Sequence, residues 1–239
     1  MSTGPAPATH LPRTGDFRWV KLWGLPIRAT HWTAAISIVV LAVTGMYIGK
    51  PYFITTGEAS SHYLMGTVRF VHFVAAALLV TTAMLRIYGL FQGNQYEHWT
   101  ALVPHRARDL RNLFQQARAY LLVRPEAAPP YLGHNPLQQL SYTSLYAVAS
   151  AQVLTGFALY GQYNQGGVFY RAFNWIGALV GGMPNVRFLH HEITWVFVIY
   201  LPIHVYLSVR ADILEHDSTI SSIISGGRMI HADAKFEDD

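Results

Sequence analysis

The chain has 239 residues, 51% hydrophobic and only 13% charged, with a formal net charge of +4 and no cysteine. Charge this sparse is poor for a water-soluble domain, and four apolar runs approach or exceed the roughly 20 residues that cross a bilayer. The composition therefore marks an integral membrane protein. The missing thiols exclude disulfides, thiolate zinc sites and cysteine-bound iron–sulfur clusters.

In chain order, residues 1–25 read as a polar amino-terminal tail with no signal-peptide pattern. Four spanning helices are predicted at about 30–48, 64–91, 138–161 and 189–209, inside one domain covering 26–230. Residues 50–63 form a short outer loop. The long inner connection, 92–137, contains Ala107–Leu122, where Leu110, Leu113, Phe114 and Ala117 recur at helical spacing against Arg108, Arg111 and Arg118. That pattern predicts an amphipathic helix on the inner membrane surface. The outer segment 162–186, rich in Gly, Asn and aromatic residues, suits either a docking or re-entrant surface or simple membrane-interface anchoring by Tyr170 and Trp175. Asp217 with Ile220, Ile223 and Ile224 predicts a short capped helix, and 231–239 reads as a polar, frayed carboxyl tail.

Basic residues set the expected orientation. Arg13, Arg18, Lys21 and Arg28 precede the first helix; Arg86, Arg106, Arg108, Arg111, Arg118 and Arg124 end the second or follow it; Arg210, Arg228 and Lys235 follow the fourth. The outer loops hold only Lys50, Arg171 and Arg187. By the positive-inside bias both termini face the cytoplasm, and the positive surplus reflects topology and lipid headgroups rather than nucleic acid.

Twelve histidines are present. His10, His62, His98, His105, His134, His216 and His231 fall in tails and loops, where solvated imidazoles are ordinary. His31, His72, His190, His191 and His204 lie within or at the edge of spanning segments, where ionisable residues have functional reasons. His190 and His204 are 14 residues apart, nearly four whole turns, so they share a helix face about 21 Å apart along the axis. The topology puts His72 and His190 near the outer surface and His31 and His204 near the inner one. Two bis-histidine haems follow: an outer one on His72 and His190, an inner one on His31 and His204. His191, rotated by about 100° from that register, is set aside. Arg28, Arg69 and Arg187 each precede one of these histidines by three residues, one turn nearer the surface, and are candidate partners for haem propionates. Gly45 and Gly156 leave room either for the outer porphyrin or for close helix packing. Zinc would need three or four ligands converging on one point, and a proton relay would need more intramembrane carboxylates than Glu192.

Specific stretches carry a family resemblance. Pro26–Trp32 (PIRATHW), Gly57–Ser60 (GEAS), Met65–Phe73 (MGTVRFVHF), Leu85–Tyr88 with Gly93–Asn94, Gly133–Pro136 (GHNP), Thr155–Tyr160 (TGFALY), His204–Tyr206 (HVY) and Asp217–Gly227 together resemble the b-type cytochrome subunit of membrane-bound uptake [NiFe] hydrogenases. Thr30, where an aromatic residue is usual, and Arg187, where a histidine is frequent, depart from the pattern. The resemblance implies an all-α integral membrane protein, a four-helix bundle carrying two haem b on His31, His72, His190 and His204. It implies an electron-transfer subunit in the bacterial inner membrane. Its donor would be the iron–sulfur small subunit of a periplasm-facing hydrogenase, and through it the large [NiFe] subunit that activates hydrogen; its acceptor would be the quinone pool. A higher oligomer of that complex is compatible with this plan. The nearest rival is the cytochrome subunit of a formate dehydrogenase-like quinone-linked oxidoreductase.

Overall fold

A computed structural model of the protein describes residues 16–53, 62–122, 124, 127–214 and 218–238. The GEAS stretch and Asp217 lie outside the described residues. Four long helices dominate: α1 (Leu25–Gly49), α2 (Leu64–Gln92), α4 (Pro136–Gly161) and α7 (Met183–Leu214). Between α2 and α4 lies α3 (Ala107–Leu121), and α8 (Thr219–Ser225) follows α7.

Local chemistry sets the helix ends. Pro26 sits in the first turn of α1 and Pro136 in that of α4, where a missing N–H costs little and φ is already helical. The GHNP stretch is a helix start: Asn135 Oδ1 accepts from the Gln138 N–H at 2.9 Å, and Gln138 Oε1 accepts from the Asn135 N–H at 3.1 Å. Gly181 and Gly182 turn the chain into α7 with φ of +84° and +117°, a region that glycine enters without strain. Pro202 lies inside α7, two residues before His204, and leaves the carbonyl of Val198 without its helical donor.

Three helical stretches, Leu25–Gly49, Leu64–Gln92 and Met183–Ile213, are long and apolar enough to cross a membrane. They bury little of themselves: among the described residues of α1 only Ser37 is buried, while Ile36, Val39 and Val43 are exposed. Such surfaces need an apolar solvent. At 26 residues α4 spans about 39 Å, but it is more polar, because Gln139 and Thr155 are buried inside the protein and Gln152 bonds to α7.

At the end of the bundle that carries His31 and His204, the inner end of the expected topology, a small water-type core closes the structure. Phe17–Lys21 (β1) pairs antiparallel with Gly227–His231 (β2), Phe17 opposite His231 and Lys21 opposite Gly227. Leu22, Trp23, Tyr96, Leu132 and Ile230 pack together beneath it, joined by Ile223 and Phe236. Trp23 Nε1 donates to Ser222 Oγ at 3.1 Å, and the Asp238 carboxylate accepts from the N–H groups of Leu132 and Gly133, both at 2.7 Å. The all-α expectation is corrected here by one two-stranded sheet, whose strands lie about 210 positions apart in the sequence and carry no local turn signal. Likewise the carboxyl-terminal stretch expected to fray is tied down through Asp238 and Phe236.

Helix α3 docks through its polar side: Asp109, Asn112 and Gln116 are buried, Tyr131 donates to Asp109 at 3.4 Å, and Asn112 donates to Tyr131 at 3.0 Å. Its apolar stripe points away from the protein, with Phe114 77% and Leu121 84% exposed. At the opposite end two short helices, α5 (Val168–Phe173) and α6 (Trp175–Val180), lean on α4 through Phe169 and Phe173 against Phe157, with ring centroids 5.2 and 5.0 Å apart. Tyr163, Val168, Trp175 and Leu179 remain exposed there.

Candidate functional site

The histidines fall into two groups at opposite ends of the bundle. His31, near the start of α1, faces His204, late in α7, with ring centroids 6.5 Å apart. Two imidazoles on one metal, each bonded at about 2 Å with its ring centre about 1 Å further back, stand roughly 6 Å apart, so this pair fits a shared haem iron. His204 is stacked on Tyr200 at 5.5 Å and meets Tyr142 edge-on at 6.4 Å. His31 Nδ1 is buried without a hydrogen-bond partner.

At the other end His72 and His190 are electrostatic neighbours. His72 Nδ1 lies 2.8 Å from Thr44 Oγ1, and His190 Nδ1 lies 2.9 Å from Thr155 Oγ1. Each threonine donates its single hydroxyl proton to its own helix: Thr44 to Val40 O at 2.6 Å, Thr155 to Ala151 O at 2.8 Å. With the threonine hydroxyls so directed, the complementary tautomer of each histidine is the one with its proton on Nδ1, which leaves the Nε2 lone pair for a metal. Gln152 Nε2 spends its two protons on His190 O at 3.0 Å and Thr194 Oγ1 at 3.1 Å, and it lies 3.5 Å from His190 Nε2.

The two glycines noted in the sequence lie behind these rings. A Cβ on Gly45 would stand 3.4 Å from His72 Cε1, and one on Gly156 would stand 3.2 Å from His190 Cε1. At both glycines the space a side chain would take is filled by a histidine ring, that of His72 or of His190. His191 turns the other way, its Cε1 and Nδ1 each 3.2 Å from a Cβ placed on Gly49. Among the described residues no three His, Asp or Glu side chains converge as a zinc site would need.

The arginines behave unequally. Arg28 is committed to the inner-end core, where its Nη1 donates to Ile224 O, yet its Nε is buried without a partner. Arg69 and Arg187 are exposed at the other end, where neither is bonded among the described residues.

His134 is the residue that sequence reasoning passed over. Grouped with the solvated loop histidines, it is in fact wedged between Trp23, at 4.8 Å, and Tyr142, at 5.0 Å, and its Nδ1 is sealed from solvent without a partner. Burial, reinforced by Arg86 and Arg228, pushes its imidazole down to about 3. Tyr142 also touches His204, so the rings of His134, Tyr142 and His204 form a contiguous row. The GHNP motif, set between a long loop and an apolar run, was the available signal. Beside His134 opens a polar cavity of about 510 Å³, whose walls include Asn94, His98, Arg106, Asp109 and Gln139.

Imidazoles on neighbouring transmembrane-type helices, with no three His, Asp or Glu side chains converging among the described residues, suit a helical membrane haem protein of the b-cytochrome class. Residues 22–226 match the prokaryotic cytochrome b561 family, and the chain belongs to it; the cofactor that family membership entails is haem b. The chain is 39% identical over 217 residues to a probable Ni/Fe-hydrogenase B-type cytochrome subunit of Azotobacter chroococcum, covering 90% of each chain. It is 38% identical over 208 residues to the protein so named in Cupriavidus necator, covering 85% of this chain and 84% of that one. With a probable Ni/Fe-hydrogenase 1 B-type cytochrome subunit of Escherichia coli it shares 32% over 212 residues, 85% and 88% of the two chains.

Proposed function

We propose that the protein is a dihaem cytochrome b that carries electrons across the bacterial inner membrane, from the iron–sulfur small subunit of a periplasm-facing [NiFe] hydrogenase to the quinone pool. The observation that carries this reading is the His31–His204 pair, brought together from α1 and α7 at a separation that suits one iron. His72 and His190 would hold the second haem. All four long helices span the membrane in this reading, both termini lie in the cytoplasm, and α3 rests its apolar stripe on the inner leaflet.

Bound haem b supplies reversible one-electron chemistry. The chain supplies the rest: neutral imidazoles as axial ligands, helix faces of Leu, Val, Phe and Ala that exclude water, and cations near the surfaces. Arg28 at the inner end and Arg69 and Arg187 at the outer end are the proposed propionate partners. Helix α7 alone supports both sites, His190 and His204 lying about 21 Å apart along it.

The relatives' names favour a hydrogenase over a formate dehydrogenase-like partner. Docking of the iron–sulfur subunit at the outer end is supported by the exposed aromatic and aliphatic residues of α5 and α6. At the inner end the polar cavity beside His134 suits the headgroup of a quinone, with Tyr142 standing between His134 and His204.

The test is isolation of the native complex from membranes, with haem counted per chain and reduced-minus-oxidised spectra recorded. Two haem b per chain, reducible by hydrogen, is the expected result. A single haem, or a molybdenum-containing partner, would refute the reading.

A further inference from the structure

Two Thr–Gly steps, Thr44–Gly45 on α1 and Thr155–Gly156 on α4, stand behind His72 and His190 in the same way. In each the threonine oxygen meets Nδ1, and the adjacent glycine lies against Cε1 of the same ring. The two steps come from different helices and serve histidines on two others, so the match is tertiary and not a property of one segment. No such contact is made to His31 or His204 among the described residues, and His31 Nδ1 has no partner at all.

We infer that Thr44 and Thr155 are positioning residues that tune the outer haem, and that their absence at the inner pair makes the chain electronically asymmetric. The inference rests on the proposed assignment of His72 and His190 as ligands. Glycine allows the ring to approach the helix backbone closely enough for the neighbouring hydroxyl to reach Nδ1. The hydroxyl oxygen, its own proton directed to a backbone carbonyl, accepts a hydrogen bond from Nδ1–H. That fixes ring rotation and tautomer, and it raises the basicity of Nε2. A more basic ligand favours the ferric over the ferrous state, so the outer site is held at a lower reduction potential than its ligand type alone would give. The inner site, lacking both acceptors, is spared that lowering. The contribution therefore runs downhill from the outer to the inner end, with the direction of delivery to a quinone acceptor.

The experiment is a redox titration of the assembled cytochrome in membranes or detergent, with the two haems resolved by α-band and electron paramagnetic resonance. Thr44→Val and Thr155→Val keep the side-chain shape and remove the acceptor. Each should raise the outer haem's potential, by about a tenfold change in its reduction equilibrium, or about 59 mV for a one-electron couple, and leave the inner haem unmoved. Thr44→Ser and Thr155→Ser should restore the original value. Alanine at either position removes the same hydroxyl with less bulk and gives the reading if valine prevents assembly. Loss of the outer haem in both hydroxyl-free variants, with normal binding and potential in the serine variant, supports the same assignment. Unchanged outer potentials without the hydroxyls, or serine behaving as valine does, overturn it. If the unsubstituted protein holds no haem on His72 and His190, it is the proposed function that fails, and the inference with it.

Discussion

His72 and His190 rest against Thr–Gly steps of neighbouring helices, whereas His31 and His204 lie among rings at the edge of a packed, water-type core. The outer pair is thus held by hydrogen bonds between apolar helices, where a low local dielectric strengthens each contact. The inner pair depends on a different kind of support. Its surroundings are fixed by β1, β2, α8 and the α2–α4 connection, which pack as a soluble domain packs, around Leu22 and Leu132 at 0% and 1% exposure. One helix, α7, links the two environments. In the proposed reading, one bundle therefore offers two haem sites whose environments can be altered separately.

Removing a ligand should give the largest separation of the two ends. His190→Ala is expected to abolish the outer haem's spectrum and leave the inner haem's, and His204→Ala the reverse; difference spectra at matched protein concentration check both. If either change erased both haems equally, the independence of the ends would be refuted. Next, Leu22→Ala hollows the inner core and should cost about 2–5 kcal/mol there. Limited proteolysis in detergent should then open the β1 and β2 region, disturbing the inner haem's spectrum and sparing the outer.

Smaller effects sharpen the contrast from the outer side. Gly156→Val puts a branched side chain where even a Cβ stands 3.2 Å from His190 Cε1; an overpacking cost of about 1–3 kcal/mol should appear as lowered outer-haem occupancy. Gly45→Val, where a Cβ would stand 3.4 Å from His72 Cε1, should act in the same direction but less.

The smallest is a pH effect confined to the inner end. His134 in the folded protein has its imidazole pushed down to about 3, against 6.5 when unfolded. Both states are neutral above about pH 6.5, so its contribution is fully present there. Below that the unfolded state takes up a proton that the folded state refuses, and stability falls until about pH 3. The loss is about 1.4 kcal/mol for the first full unit below the unfolded value. Thermal unfolding of the inner module between pH 7 and 5.5 should show it, with a flatter profile in His134→Gln; equal slopes would contradict the assignment.

What the sequence determined by itself was whatever depends on local period and on solvent. Apolar runs of bilayer length predict the long helices, and the 14-residue interval puts His190 and His204 on one face, because helix geometry is set residue by residue. The amphipathic pattern of Ala107–Leu122 also predicts α3, which the structure turns with its polar side inward and its apolar stripe outward. Tertiary structure decided which distant groups meet. The Thr44 and Thr155 contacts join different helices; β1 finds β2 from the other end of the chain; the Nδ1 of His134 is sealed where Trp23 and Tyr142 close on the ring from separate segments. None of these has a local signature, since each arises from packing between segments far apart in sequence. Sequence therefore predicts which histidines share an end of the bundle, and the fold supplied what stands beside each ring.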